Sequence, residues 1–102
     1  MEPIKKGLVI TVGPDTASFG EALLLASAAL DRSEDVYCYC VDEAVRGVSD
    51  IRLKELTSRG MKLFACAYGA RRRGLPLEGP ALFSGLGMLS DIIAHTHSFH
   101  SF

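Results

Sequence analysis

Three short apolar runs punctuate the chain at intervals, Gly7-Leu-Val-Ile-Thr-Val-Gly13, Val36-Tyr-Cys-Tyr-Cys-Val41 and Met61-Lys-Leu-Phe-Ala-Cys66. Between them lie stretches of helical character, and this alternation constrains the fold more than any other feature. The first run ends at Gly13-Pro14, where a flexible residue is followed by one lacking an N–H donor. Ser18-Phe-Gly-Glu21 has the spacing of a capping box, opening an almost wholly apolar helix over Ala22 to Leu30. After the second run come the polar Asp42-Glu43 and then an amphipathic helix from Ile51 to Arg59 that Gly60 caps. The third run passes into a helical stretch from Ala67 to Arg73, which Gly74 ends and Pro76 keeps from resuming. Ala81-Leu-Phe83 reads as a brief fourth strand, Ser84 as the cap of a helix over Leu86 to Ala94, and Ser98 to Phe102 as a last strand. Strands and helices alternating at these lengths predict a mainly parallel sheet with helices on both faces and right-handed crossovers.

Composition narrows the function. With 102 residues, 48% of them apolar, the chain has material for one domain, 1–102, around a genuine core. Its 11 Lys and Arg against 12 Asp and Glu leave no strong positive field, so direct nucleic-acid binding is not expected. The apolar runs are too short or too interrupted to span a bilayer, and Met-Glu-Pro at the start is not an export signal. No membrane contact and a cytoplasmic location are the expectation. Three cysteines, Cys38, Cys40 and Cys66, are an odd number in apolar surroundings and fit free thiols in a reducing compartment. There is no repeat or low-complexity tract, and the Gly/Pro-rich interval Gly74 to Pro80 reads as a loop.

Open parallel sheets place their chemistry at the carboxyl ends of strands, and Cys66 falls at such an end, directly before a helix. The nucleophilic form of cysteine is the thiolate, which a helix N-terminus favours. The backbone N–H groups of Ala67, Tyr68 and Gly69 are expected to point at its sulfur, and their small neighbourhood leaves room for a second sulfur atom. The competing reading makes Cys66 a small buried hydrophobe. Arg71, Arg72 and Arg73 cannot all face Cys66, because successive helical residues rotate by about 100°. They suit the negative C-terminal end of their helix, with Arg72 and Arg73 as a docking site for an acidic partner the alternative. Ser84, Gly85 and Gly87 form a second strand-to-helix turn, readable as an anion-friendly backbone site or as a capped helix whose glycines permit tight packing. His95, His97 and His100 lack accompanying ligands at a recognised spacing, so no metal site is expected.

Phe64-Ala-Cys-Ala-Tyr-Gly-Ala-Arg-Arg-Arg-Gly74 and Ser84-Gly-Leu-Gly87, with a terminal short strand ending in Phe102, resemble the DsrE/DsrF-like family. The most specific parts are Cys66, Ala70, Arg72, Arg73 and Gly74, followed by Ser84 to Gly87, and in motif they are most like the TusD sulfur-relay subunit. The resemblance implies a three-layer α/β/α sandwich whose five-stranded sheet has the order 4-3-2-1-5. On that order the helices after Cys66 and after Ser84 start side by side at one sheet edge. It also implies that Cys66 accepts sulfur as a persulfide, without metal or organic cofactor, and passes it between donor and acceptor proteins in tRNA thiolation or sulfur oxidation. Family members assemble as homotrimers, homohexamers or hetero-oligomers of related subunits. The chain departs from the TusD pattern in a shorter Leu75 to Pro80 loop and in carrying Cys38 and Cys40, which share one face of their strand. If register allowed, Cys40 would resolve a Cys66 persulfide as a disulfide. A non-catalytic scaffold subunit and a thiol redox sensor are the alternative functions.

Overall fold

A computed structural model describes residues 2–102. In it β1 (Lys5–Ile10), α1 (Ala17–Asp31), β2 (Asp35–Cys40), α2 (Ile51–Ser58), β3 (Lys62–Cys66), α3 (Ala67–Arg72), β4 (Leu82–Ser84), α4 (Leu86–His95) and β5 (Ser98–Ser101) follow in order, with a 3₁₀ turn at Asp42–Gly47. The strands form one sheet in the order β4-β3-β2-β1-β5, every neighbouring pair parallel. The long apolar strands occupy the middle because a central strand must present apolar side chains to both layers. The three residues of β4 and four of β5 make short edges, which limits the unpaired backbone they offer to other chains.

Alternation along the strands sorts the core into two faces. Leu8 and Ile10 of β1, Val36, Cys38 and Cys40 of β2, and Leu63 and Ala65 of β3 pack with Phe19, Ala22, Ala26 and Ala29 of α1 and Leu53 and Leu56 of α2. Full burial of a Leu, Ile or Phe side chain is worth about 1.5–3 kcal/mol, so this face supplies most of the stability. Tyr39, Val45, Cys66 and Ile92 are buried on the opposite face, with Tyr37, Phe64, Met88, Leu89 and Phe99 half-covered around them. There α4 approaches β1 at Gly7, where a Cβ would lie 2.8 Å from Phe99 Cδ1 and 3.0 Å from both Ile92 Cγ2 and Thr96 Oγ1.

Two helix starts differ from the sequence expectation. Thr16, not Ser18, caps α1: its hydroxyl accepts from Phe19 N at 3.2 Å and donates to Gly13 O at 2.8 Å. The Gly13-Pro14 turn delivers Thr16 in extended conformation, so the helix begins earlier and Ser18 falls inside its first turn. Ser84 does not cap α4. It ends β4, and Gly85 takes the cap position without any side-chain hydrogen bond. Pairing of Ser84 with Cys66 in the sheet holds it extended. Between β2 and α2 the 3₁₀ turn starts at the polar Asp42-Glu43 and buries Ala44, Val45 and Gly47.

Candidate functional site

Cys66 is at once the last residue of β3 and the N-cap of α3. Its extended backbone, φ −72° and ψ 113°, turns the side chain toward the opening helix, and Sγ accepts a hydrogen bond from Gly69 N at 3.3 Å. Of the three amides expected there, Gly69 alone donates, at the third helical position that an N-cap side chain commonly reaches. The cysteine is 6% exposed. It borders an open cavity of about 350 Å³ whose wall also includes Val41, Asp42, Tyr68, Arg72, Arg73 and Leu86. Tyr68, 68% exposed, stands at the solvent side.

The neighbouring turn lies where the strand order requires. Cys66 and Ser84 are register partners across β3 and β4, so α3 and α4 start side by side. Gly85 and Gly87 are there, but a Cβ at either would meet nothing within 4 Å. Tight packing is therefore not their reason, and their missing side chains leave the start of α4 open. Ser84 Oγ is buried and has no hydrogen-bond partner.

Tyr39 carries no motif, yet it belongs to this site. It is fully buried, and its hydroxyl donates toward Ser84 O at 3.2 Å and Gly85 O at 3.0 Å, tying β2 to the turn that opens α4. Burial pushes the phenol above its ordinary range, hydrogen bonding at Ser84 opposes the rise, and the charge and hydrogen bonding of Cys66 add to it. The available signal was alternation: opposite Cys38 and Cys40 on β2, it points Tyr39 to the Cys66 side.

The arginines divide. Arg73 donates to Glu43 at 2.9 Å and to Asp42 at 2.6 Å, and its Nη1 bonds Gly69 O at 3.2 Å, so it clamps α3 to the 3₁₀ turn. Glu43 is held below the usual carboxylate range, first by its hydrogen bond with Arg73. Arg72 lies over the Tyr68 ring, 5.9 Å from its centroid, and forms no ion pair with the described residues. Arg71 is exposed. Only Arg73 satisfies a carbonyl of its own helix, so capping accounts for one of the three.

Cys40 does not stand in position to resolve Cys66. It is the register partner of Ala65, and both face the α1 and α2 layer, while Cys66 faces the other. Cys38 and Cys40 are free and fully buried. Hydrogen bonding with Cys40, and then burial, push the Cys38 thiol well up. His95 Nδ1 lies 2.8 Å from Asp91 O, and His97 Nδ1 accepts from Lys5 N at 2.9 Å. Among the described residues no three His, Cys, Asp or Glu side chains converge as a metal site, and no helix is long and apolar enough to cross a membrane.

No protein-family model and no curated sequence matches the chain. Among solved structures, the ychN protein from E. coli is similar at a TM-score of 0.85 and 17% identity, over 99% of this chain and 100% of that one. At that identity the likeness establishes the fold. The parallel five-stranded sheet in the order 4-3-2-1-5, with helices on both faces, is the DsrE-like α/β arrangement.

Proposed function

We propose that the chain is an intracellular sulfur-relay protein of the TusD type that carries sulfur as a persulfide on Cys66. The observation that supports this best is the cysteine at the end of β3, its sulfur held by the Gly69 amide and facing an open cavity beside the start of α4. The thiolate of Cys66 attacks the outer sulfur of a donor persulfide, R–S–SH. A new S–S bond forms, the donor's S–S bond breaks, and R–S⁻ leaves, giving Cys66–S–SH. An acceptor thiolate then attacks that outer sulfur and regenerates the Cys66 thiolate. Each step exchanges one S–S bond for another, so neither metal nor organic cofactor is called for. The Gly69 N–H stabilises the sulfur anion that starts the first step and leaves in the second.

Donor and acceptor are proteins in this reading, with tRNA thiolation or sulfur oxidation as the downstream use. The exposed Arg72 and Tyr68 at the cavity mouth suit an acidic docking surface. The exposed apolar Leu86 and Ile93 of α4 agree with assembly into a homotrimer, a homohexamer or a hetero-oligomer with related subunits.

Intact-mass measurement after exposure to a persulfide donor tests the proposal. One added sulfur is expected in wild type, Cys38→Ser and Cys40→Ser, and none in Cys66→Ser. A wild-type protein that takes up no sulfur from any persulfide donor overturns the relay function and favours a non-catalytic scaffold. Sulfenylation of Cys66 by peroxide outrunning sulfur loading overturns it in favour of a redox sensor.

A further inference from the structure

We propose that Tyr39 is a positioning residue for Cys66, its phenol proton holding the Ser84–Gly85 turn while Cys66 is a neutral thiol and swinging to the sulfur when Cys66 becomes an anion. The inference deepens the sulfur-relay reading and rests on it only in requiring that Cys66 ionise. A phenol has one proton to give, and here two carbonyls share it, at 3.2 Å and 3.0 Å. A divided bond of this kind leaves the proton less firmly committed to either oxygen than a single linear bond would.

The sheet register brings the sulfur within that proton's surroundings. Tyr39 is the partner of Phe64 on β3, Cys66 lies two residues further along the same face, and Cys66 is in turn the partner of Ser84, whose carbonyl the phenol bonds. Reaching from β2 to the end of β4, the phenol therefore crosses the end of β3 that carries Cys66. The burial and the Cys66 contribution that raise the phenol keep it protonated, which is the form able to donate. A sulfur anion in this largely buried position gains more from a second donor than a neutral thiol does, so ionisation itself drives the switch. Ser84 Oγ, buried without a partner beside it, is a further hydroxyl free to follow.

Tyr39→Phe keeps the buried ring and removes only the donor. The measurement is the thiolate population of Cys66 against pH, read by ultraviolet thiolate absorbance as a difference from the same protein carrying Cys66→Ser, together with the alkylation rate of Cys66. Loss of the donor is expected to cut the thiolate population and the alkylation rate about tenfold at pH values where the thiol form prevails. Profiles that coincide with wild type overturn the proposal. If Tyr39→Phe does not fold, fluorotyrosine replacement keeps the hydroxyl and makes it a stronger donor, so the thiolate population must rise, and an unchanged population overturns the proposal. The outcome is separable from sulfur transfer. A Tyr39 effect in a protein that loads no sulfur removes the relay function and leaves the positioning role, and normal loading with coincident profiles does the reverse.

Discussion

Replacing Gly7 by Ala tests how α4 is held against the sheet. A Cβ built at Gly7 lies 2.8 Å from Phe99 Cδ1 and 3.0 Å from Ile92 Cγ2 and Thr96 Oγ1, all closer than side-chain carbons normally approach. None of these atoms yields easily. Ile92 Cγ2 and Thr96 Oγ1 branch at Cβ, so only a backbone shift or a change of χ1 moves them, and Thr96 Oγ1 is already committed to Ile92 O at 2.8 Å. Phe99 Cδ1 sits beside the ring's attachment point, on a strand paired with β1 itself. Overpacking of this kind costs about 1–3 kcal/mol, and three rigid neighbours place it toward the upper end. Removing glycine's backbone freedom returns about 0.5–1 kcal/mol. The net loss is then about 2 kcal/mol, or about 8–16 °C in Tm for a domain of this size. Urea unfolding followed by circular dichroism measures it, with an unchanged slope expected because the surface exposed on unfolding is the same. A Gly7→Ala protein as stable as wild type or more so refutes the close-approach argument.

Gly20→Ala gives the opposite sign, because the nearest atom to its new Cβ is Arg52 Nη1 at 4.0 Å. In α1 this substitution is expected to raise stability by about 0.5–1 kcal/mol in the same urea assay, and a loss counts against the space assigned there. Asp50→Ala removes the N-cap of α2, whose carboxylate accepts from Arg52 N at 2.9 Å, and is expected to cost about 1 kcal/mol. Hydrogen bonding to Arg52 lowers the Asp50 carboxyl, so the gap to wild type is full above the unfolded value of about 3.9 and closes as pH falls through the lower folded value. A gap that persists in strong acid refutes that assignment. Under native conditions Cys66 is expected to be alkylated before Cys38 and Cys40, which are fully buried, and mass spectrometry of the labelled peptides reads the order. Labelling of Cys38 or Cys40 first contradicts the burial of β2.

The legible parts of the fold were those whose cause is local. The Leu8 to Ile10, Val36 to Cys40 and Leu63 to Cys66 segments sit in central strands buried on both faces, and such strands spell continuous apolar runs. The start of α1 was less legible because Thr16 and Ser18 are chemically equivalent caps, and the choice falls to the turn that Gly13 and Pro14 impose. At the site, Cys66 was legible from its place between a strand and a helix. Tyr39 was not, because its role depends on reaching across β3 to carbonyls at Ser84 and Gly85, far away in sequence. The Arg73 clamp was hidden likewise, since its partners Asp42 and Glu43 belong to another element.

The same alternation decides what can follow a persulfide on Cys66. Period-two geometry puts Cys38 and Cys40 on one face, and the pairing of Cys40 with Ala65 fixes that face as the one away from Cys66. A disulfide between Cys40 and Cys66 would have to pass through the sheet or turn one strand over, and turning a strand over would send its whole buried set to the wrong layer. The persulfide's outer sulfur therefore has no cysteine of its own chain to attack it. In the proposed relay it departs only to a thiol brought by a partner, across the open cavity that Tyr68 and Arg72 border. A protein built this way holds sulfur until the acceptor docks, and a Cys38→Ser, Cys40→Ser double variant is expected to keep its loaded sulfur no longer than wild type does. A longer-lived persulfide in that variant, followed by intact mass over time, would mean that one of the two thiols does reach Cys66, against the register of β2 and β3.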